Sequence, residues 1–164
     1  MKGMVAAVAL VVMGVQAEAR TVLGTFKNWD AIKAGTGNST ECFVASVPTR
    51  LQPASVNHGQ VYATVAHKPP RKVRDEVNIV VGYQFKDNSN ITVTTGGQNI
   101  GMFTAGRAAW ADSPETDAKL VAAMKKGSQM TVKGSSARGT STTYVFSLIG
   151  FSAAYNAINQ ACPG

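Results

Sequence analysis

Apolar and polar positions alternate at short range through most of this chain. Cys42-Phe43-Val44-Ala45-Ser46-Val47 and Val61-Tyr62-Ala63-Thr64-Val65-Ala66-His67 follow that pattern, and the second is rich in β-branched residues. A period of two predicts half-buried strands. Pro48 ends the first and Pro69-Pro70 the second. Val77-Asn78-Ile79-Val80-Val81-Gly82-Tyr83 is the most continuous apolar strand pattern and reads as a central strand. Ile91–Thr95 and Gln98–Phe103 flank Gly96-Gly97. A glycine pair between two strand patterns predicts a hairpin, because such a tight turn needs positive φ. Gln129–Gly134 and Thr142–Leu148 predict a second hairpin, with Arg138-Gly139 in its turn. Val22–Ile32 is mixed, with Phe26 and Trp29 as core candidates, and 36–40 is a loop.

The helical period occurs twice. Ser113 is an N-cap with Pro114 at the first helical position. Glu115 and Asp117 suit the positive end of that helix dipole, Lys125 and Lys126 the negative end. Leu120, Val121 and Met124 form its apolar stripe, and Gly127 supplies the stop. A second helix starts after Ser152 and ends before Pro163, with Tyr155, Ile158 and Cys162 on one face. The expected fold is mainly β, a sandwich or barrel with two short helices, one mid-chain and one C-terminal.

Residues 1–19 carry a different pattern. Lys2 precedes an almost unbroken apolar run from Met4 to Val15, and Ala17-Glu18-Ala19 is a small-x-small site. Together they read as a secretory signal peptide cleaved between Ala19 and Arg20. The alternatives are an uncleaved interfacial anchor or a buried helix. The run is shorter than the roughly 20 residues a spanning helix needs. No cysteine stands at the cleavage point for lipid attachment, so the expected mature form is one domain, 20–164, with no transmembrane segment. Peripheral membrane association stays open.

Export changes the meaning of the charge and of the cysteines. The chain carries a formal +7. Inside a cell that balance would suggest nucleic acid. An exported chain meets phospholipid, lipopolysaccharide or a host surface instead, so no nucleic-acid partner is expected. The alternative is that the charge simply keeps the protein soluble. Cys42 and Cys162 are the two cysteines, and an even pair in an oxidising compartment favours a disulfide over two free thiols.

Little chemistry is legible. His58 and His67 are the two histidines, and neither has a second ligand at metal-binding spacing. His67 reads as a surface strand end. Asp75-Glu76 reads as a solvated loop, and Asp112, Glu115 and Asp117 as helix capping and dipole complementarity. No Gly-x-Ser-x-Gly motif is present, so no catalytic residue, metal or cofactor is assigned. The densest basic stretch is 67–74. Its Lys68, Arg71, Lys72 and Arg74 form the candidate patch for an anionic ligand. The alternative is a charged, proline-stiffened loop.

Several strings carry a family resemblance: Cys42–Pro48 with His67-Lys68-Pro69 after it, Val77–Lys86, Gly101–Ala111, Thr116–Gly139 and Ser147–Pro163. They are similar, in the same order, to the invasion-associated locus B family. LVAAMKKGSQMTVKGSSARGT is the most specific block. The resemblance implies an exported, non-enzymatic protein of Gram-negative bacteria, periplasmic or associated with the outer membrane, with an immunoglobulin-like β-sandwich. It also implies a contribution to host-cell interaction or invasion, and it places both cysteines at family positions. Asn57-His58-Gly59-Gln60 departs from the basic Arg-Gly-Asp-like turn of several members. A periplasmic binding module for lipopolysaccharide or acidic lipid is the alternative function.

Overall fold

The computed structural model describes residues 19–163. The expected signal peptide lies outside the described residues, apart from Ala19, which is exposed beside the first strand residue, Arg20.

A hairpin opens the fold, β1 (Arg20–Phe26) with β2 (Trp29–Ala34). Then come β3 (Glu41–Ser46), β4 (Arg50–Gln52), β5 (Tyr62–Lys68) and β6 (Val73–Val80). The Gly96-Gly97 hairpin joins β7 (Asn90–Thr95) to β8 (Gln98–Ala105), and β9 (Ala108–Trp110) follows. Helix α1 spans Pro114–Lys126. The second expected hairpin is β10 (Gln129–Ser135) with β11 (Ser141–Ser147), and α2 (Phe151–Ala161) closes the chain.

All eleven strands join one antiparallel sheet in the order β1-β2-β3-β5-β6-β9-β8-β7-β10-β11-β4. The sheet folds back so that its two ends meet. Trp29 at the start of β2 donates its indole N–H to the Ser147 carbonyl at the end of β11, across 2.9 Å. The result is the expected mainly β, sandwich-like fold with a mid-chain and a C-terminal helix. Its two outer strands are poor templates for pairing: β1 carries a bulge between Val22 and Gly24, and β4 has three residues.

One core runs between the faces and under both helices. Val44, Val65, Ile79 and Val93 come from the strands, Leu120 and Met124 from α1, and Phe151 and Ile158 from α2. Trp29 is fully buried, and Phe151 stacks edge-on to it with centroids 5.0 Å apart. Cys42 and Cys162 form the expected disulfide, Cα atoms 5.9 Å apart, which fastens the end of α2 to β3. Among the described residues no helix is long and apolar enough to cross a membrane.

Four sequence expectations shift. The apolar strand begins earlier than its apolar run, at Val73, and ends at Val80, because Gly82 leaves the ladder to lie against His58 and Gly59. Asp75 and Glu76 therefore belong to β6 rather than to a loop. Helix α2 starts at Phe151, with Gly150 before it at φ +90°. Gly127 ends α1 with an ordinary φ of −85°, so left-handed geometry is not its role. A Cβ there would stand 2.5 Å from Thr95 Oγ1, and close packing is what requires glycine.

Candidate functional site

Three groups of polar side chains stand out, and the first is the basic stretch. After β5 the chain makes a short 3-10 turn, Pro69–Arg71, and Lys72 follows in the left-handed region at φ 55°. The turn projects Arg71 and Lys72 into solvent, and neither has a side-chain partner among the described residues. The other two candidates are engaged. Lys68 is ion-paired with Glu76 across the β5–β6 ladder. Arg74 donates to Asn159 Oδ1 at 2.6 Å. The four residues predicted as one patch thus divide into two free cations and two committed ones.

The second group surrounds His67. This residue is 1% exposed, not at the surface as its sequence position suggested. The β5–β6 register shifts between Ala66 and Lys68, so His67 faces a bulge. Asp75 occupies that bulge at φ +61°, a conformation that costs about 1 kcal/mol or more for a non-glycine residue. The bulge aims the Asp75 backbone N–H at His67 Nδ1, 3.2 Å away, and the Asp75 carboxylate at the Tyr155 hydroxyl, which donates to it at 2.6 Å. His67 Nε2 lies 2.8 Å from Asn159 Oδ1. Burial, with Arg74 nearby, lowers the His67 pKa. Burial and the Asp75 carboxylate raise that of Tyr155 to about 12. Cys42 stands opposite His67 in the β3–β5 ladder, so this cluster and the disulfide hold the same end of α2.

The third group lies at the other end of the sheet. His58, in the 53–60 loop, is buried. Its Nε2 is 2.9 Å from the Pro53 carbonyl, which only accepts, so Nε2 carries a proton. Its Nδ1 is 2.9 Å from the Tyr144 hydroxyl, whose oxygen lies 3.0 Å from the Tyr83 hydroxyl. Tyr83 lies 2.7 Å from Thr142 Oγ1. Burial, the first cause, and Tyr83 push the Tyr144 pKa up. Three of these side chains, His58, Tyr83 and Thr142, line a cleft of about 520 Å³.

Asp117 exceeds its predicted capping role. Its Oδ1 accepts the Val77 backbone N–H at 2.8 Å and ties α1 to β6. Burial raises its pKa to about 6, assisted by Glu76, Asp75 and Asp112 and opposed by the Val77 hydrogen bond. Glu115 stays exposed, and Ser113 caps α1 by accepting from Thr116 N at 3.2 Å.

Both histidines thus serve buried hydrogen-bond networks, and both cysteines are joined. Among the described residues no three His, Cys, Asp or Glu side chains converge as metal ligands. The buried networks were invisible in the sequence, because their members lie far apart along the chain: His58 and Tyr144 are 86 positions apart, His67 and Asn159 are 92.

A family model described as Invasion associated locus B (IalB) protein matches residues 29–159. No curated protein sequence and no solved structure matches the chain.

Proposed function

Because the chain belongs to the invasion associated locus B family, we propose that it is an exported, non-enzymatic protein of the bacterial envelope that contributes to host-cell interaction or to envelope function. The Cys42–Cys162 disulfide carries this reading. Such bonds persist in oxidising compartments and are rare in the cytosol. The residues 1–19 pattern, with its small-x-small site before Arg20, supports the same route. A non-catalytic role is supported by the state of the best candidate general bases. Both histidines are buried and hydrogen-bonded to groups that hold the fold together.

The test is cell fractionation combined with protease applied to intact cells. Loss of the protein from intact cells is the result expected for direct host contact. Full protection contradicts direct contact and leaves a periplasmic role.

A second reading, a periplasmic module for an anionic envelope ligand, is favoured by one observation. Arg71 and Lys72 project together from the β5–β6 turn with no carboxylate partner among the described residues. Replacing both with glutamine should weaken binding to lipopolysaccharide or acidic-lipid vesicles, most at low salt, where exposed charges act over longer distances. Unchanged binding at low salt rejects it.

A further inference from the structure

The cleft beside His58 has the size and chemistry of a small-molecule site. Its volume of about 520 Å³ falls within the range of roughly 300–1,000 Å³ typical of ligand pockets. It opens where the 53–60 loop, the segment following β6 and the β10–β11 turn come together. Val56 and Ala137 supply an apolar rim, and the Tyr83 ring a flat wall. Val56 is 39% exposed, one of few large apolar side chains left in solvent among the described residues.

The cleft is held open by the backbone. Gly82 N donates to the His58 carbonyl at 3.1 Å, and Ala137 N donates to the Gln84 carbonyl at 2.9 Å. Both rims are therefore hydrogen-bonded to the same three-residue segment. A bridge between Phe85 and Ser136 adds a further tie. Gly82 allows the first contact, since a Cβ there would stand 2.4 Å from the His58 carbonyl oxygen. The Tyr83–Tyr144–His58 hydrogen bonds stiffen the inner wall. A pre-formed site loses less ordering entropy when it binds.

Charge decides the class of ligand. Arg138 is the one formally charged residue in the lining, and among the described residues no carboxylate lines the cleft or pairs with that guanidinium. The β10–β11 turn presents Arg138 to solvent at the mouth. From these features we infer that the cleft binds a small organic anion. The ligand's apolar or aromatic body lies against Val56 and Tyr83, and its carboxylate, sulfonate or phosphate meets Arg138. This site lies apart from the basic β5–β6 turn, and the inference holds on either side of the outer membrane.

Two fluorescent probes that share one aromatic body test it: anilinonaphthalene sulfonate, an anion, and phenylnaphthylamine, which is uncharged. Both are titrated into the unaltered protein, with amide NMR shifts recorded for the sulfonate. Saturable binding with shifts confined to 56–58, 82–85 and 136–142 is expected. Arg138→Gln should weaken the sulfonate by about tenfold, the typical value of one charge-assisted hydrogen bond, and leave phenylnaphthylamine unchanged. Ala137→Trp, at an exposed position, should weaken both by filling the rim. Shifts elsewhere, absence of saturable binding, or equal sulfonate affinity in a folded Arg138→Gln protein would each overturn the inference.

Discussion

Asp75 donates its backbone N–H to Nδ1 of His67 and thereby fixes the imidazole as the neutral tautomer protonated at Nε2. Nδ1 must accept this bond, so the remaining proton sits on Nε2 and points at Asn159 Oδ1, 2.8 Å away. Asp75 holds this position only by taking a left-handed backbone, at φ +61°. The contact joins β5, β6 and α2 at the end of the molecule where the disulfide closes.

A pH dependence follows from that contact. Burial lowers the His67 pKa below its unfolded value. Its contribution is therefore complete above about pH 6.5, the unfolded pKa, and declines as pH falls from there toward the folded value, because the unfolded chain then binds the extra proton. His67→Gln keeps a donor near Asn159 and removes the titration. Denaturant melts at pH 5 and pH 7 should show a smaller acid loss in the variant than in the parent. An equal loss in both would contradict the assignment.

Asp117 has the opposite sign. Burial raises its pKa from 3.8 to about 6, so the folded state holds a proton that the unfolded chain releases first. Its contribution weakens as pH rises from about 4 to about 6. Asp117→Asn retains an acceptor for the Val77 N–H and abolishes that decline. The variant should be more stable than the parent at pH 7 by about 1 kcal/mol, after allowing for solvent screening of a half-exposed group. At pH 4 the two should converge, as read by the same melts.

Glycine requirements differ by position. A Cβ on Gly150 would lie 1.8 Å from the Phe26 carbonyl oxygen, and its φ is +90°. Gly139, at φ +85°, has open space around it. Gly150→Ala should therefore cost several kcal/mol, on the order of 3 or more, through clash and strain together. Gly139→Ala should cost about 1–2 kcal/mol through backbone strain alone. Thermal melts of the two variants rank them.

The disulfide separates Cys42 and Cys162 by 120 positions. Opening a loop of that size frees considerable unfolded-chain entropy. Cys42→Ala with Cys162→Ala should lose about 2–4 kcal/mol in chemical denaturation. The loss should match that seen when the parent is melted under reductant.

Local patterns made much of this fold legible. Gly96-Gly97 announced a hairpin that formed in register, Thr95 opposite Gln98. Ser113-Pro114 marked the start of α1, and the even cysteine pair marked the staple. What escaped lacks local contrast. In β1 no residue is fully buried, and its turn uses Lys27-Asn28 with Lys27 at φ 57° instead of an Asn-Gly signature. The three-residue β4 and β9 are too short for a period to show. The disposition of the basic stretch was illegible for a different reason. Whether a lysine is free depends on its neighbour across the ladder, and Glu76 reaches Lys68 through a register that a bulge displaces. The cleft draws Val56, Tyr83 and Arg138 from three separated segments, and no spacing in the chain announces that meeting.

We propose that this chain works outside the cytoplasm as a non-catalytic domain stapled by Cys42–Cys162. The most direct test is mass spectrometry of protein trapped with a thiol-blocking reagent in intact cells and then fractionated. The expected result is an N-terminus at Arg20 and a Cys42–Cys162 linked peptide in the envelope or external fraction. Blocked free thiols on a chain that retains residues 1–19, recovered from the cytoplasm, would contradict it.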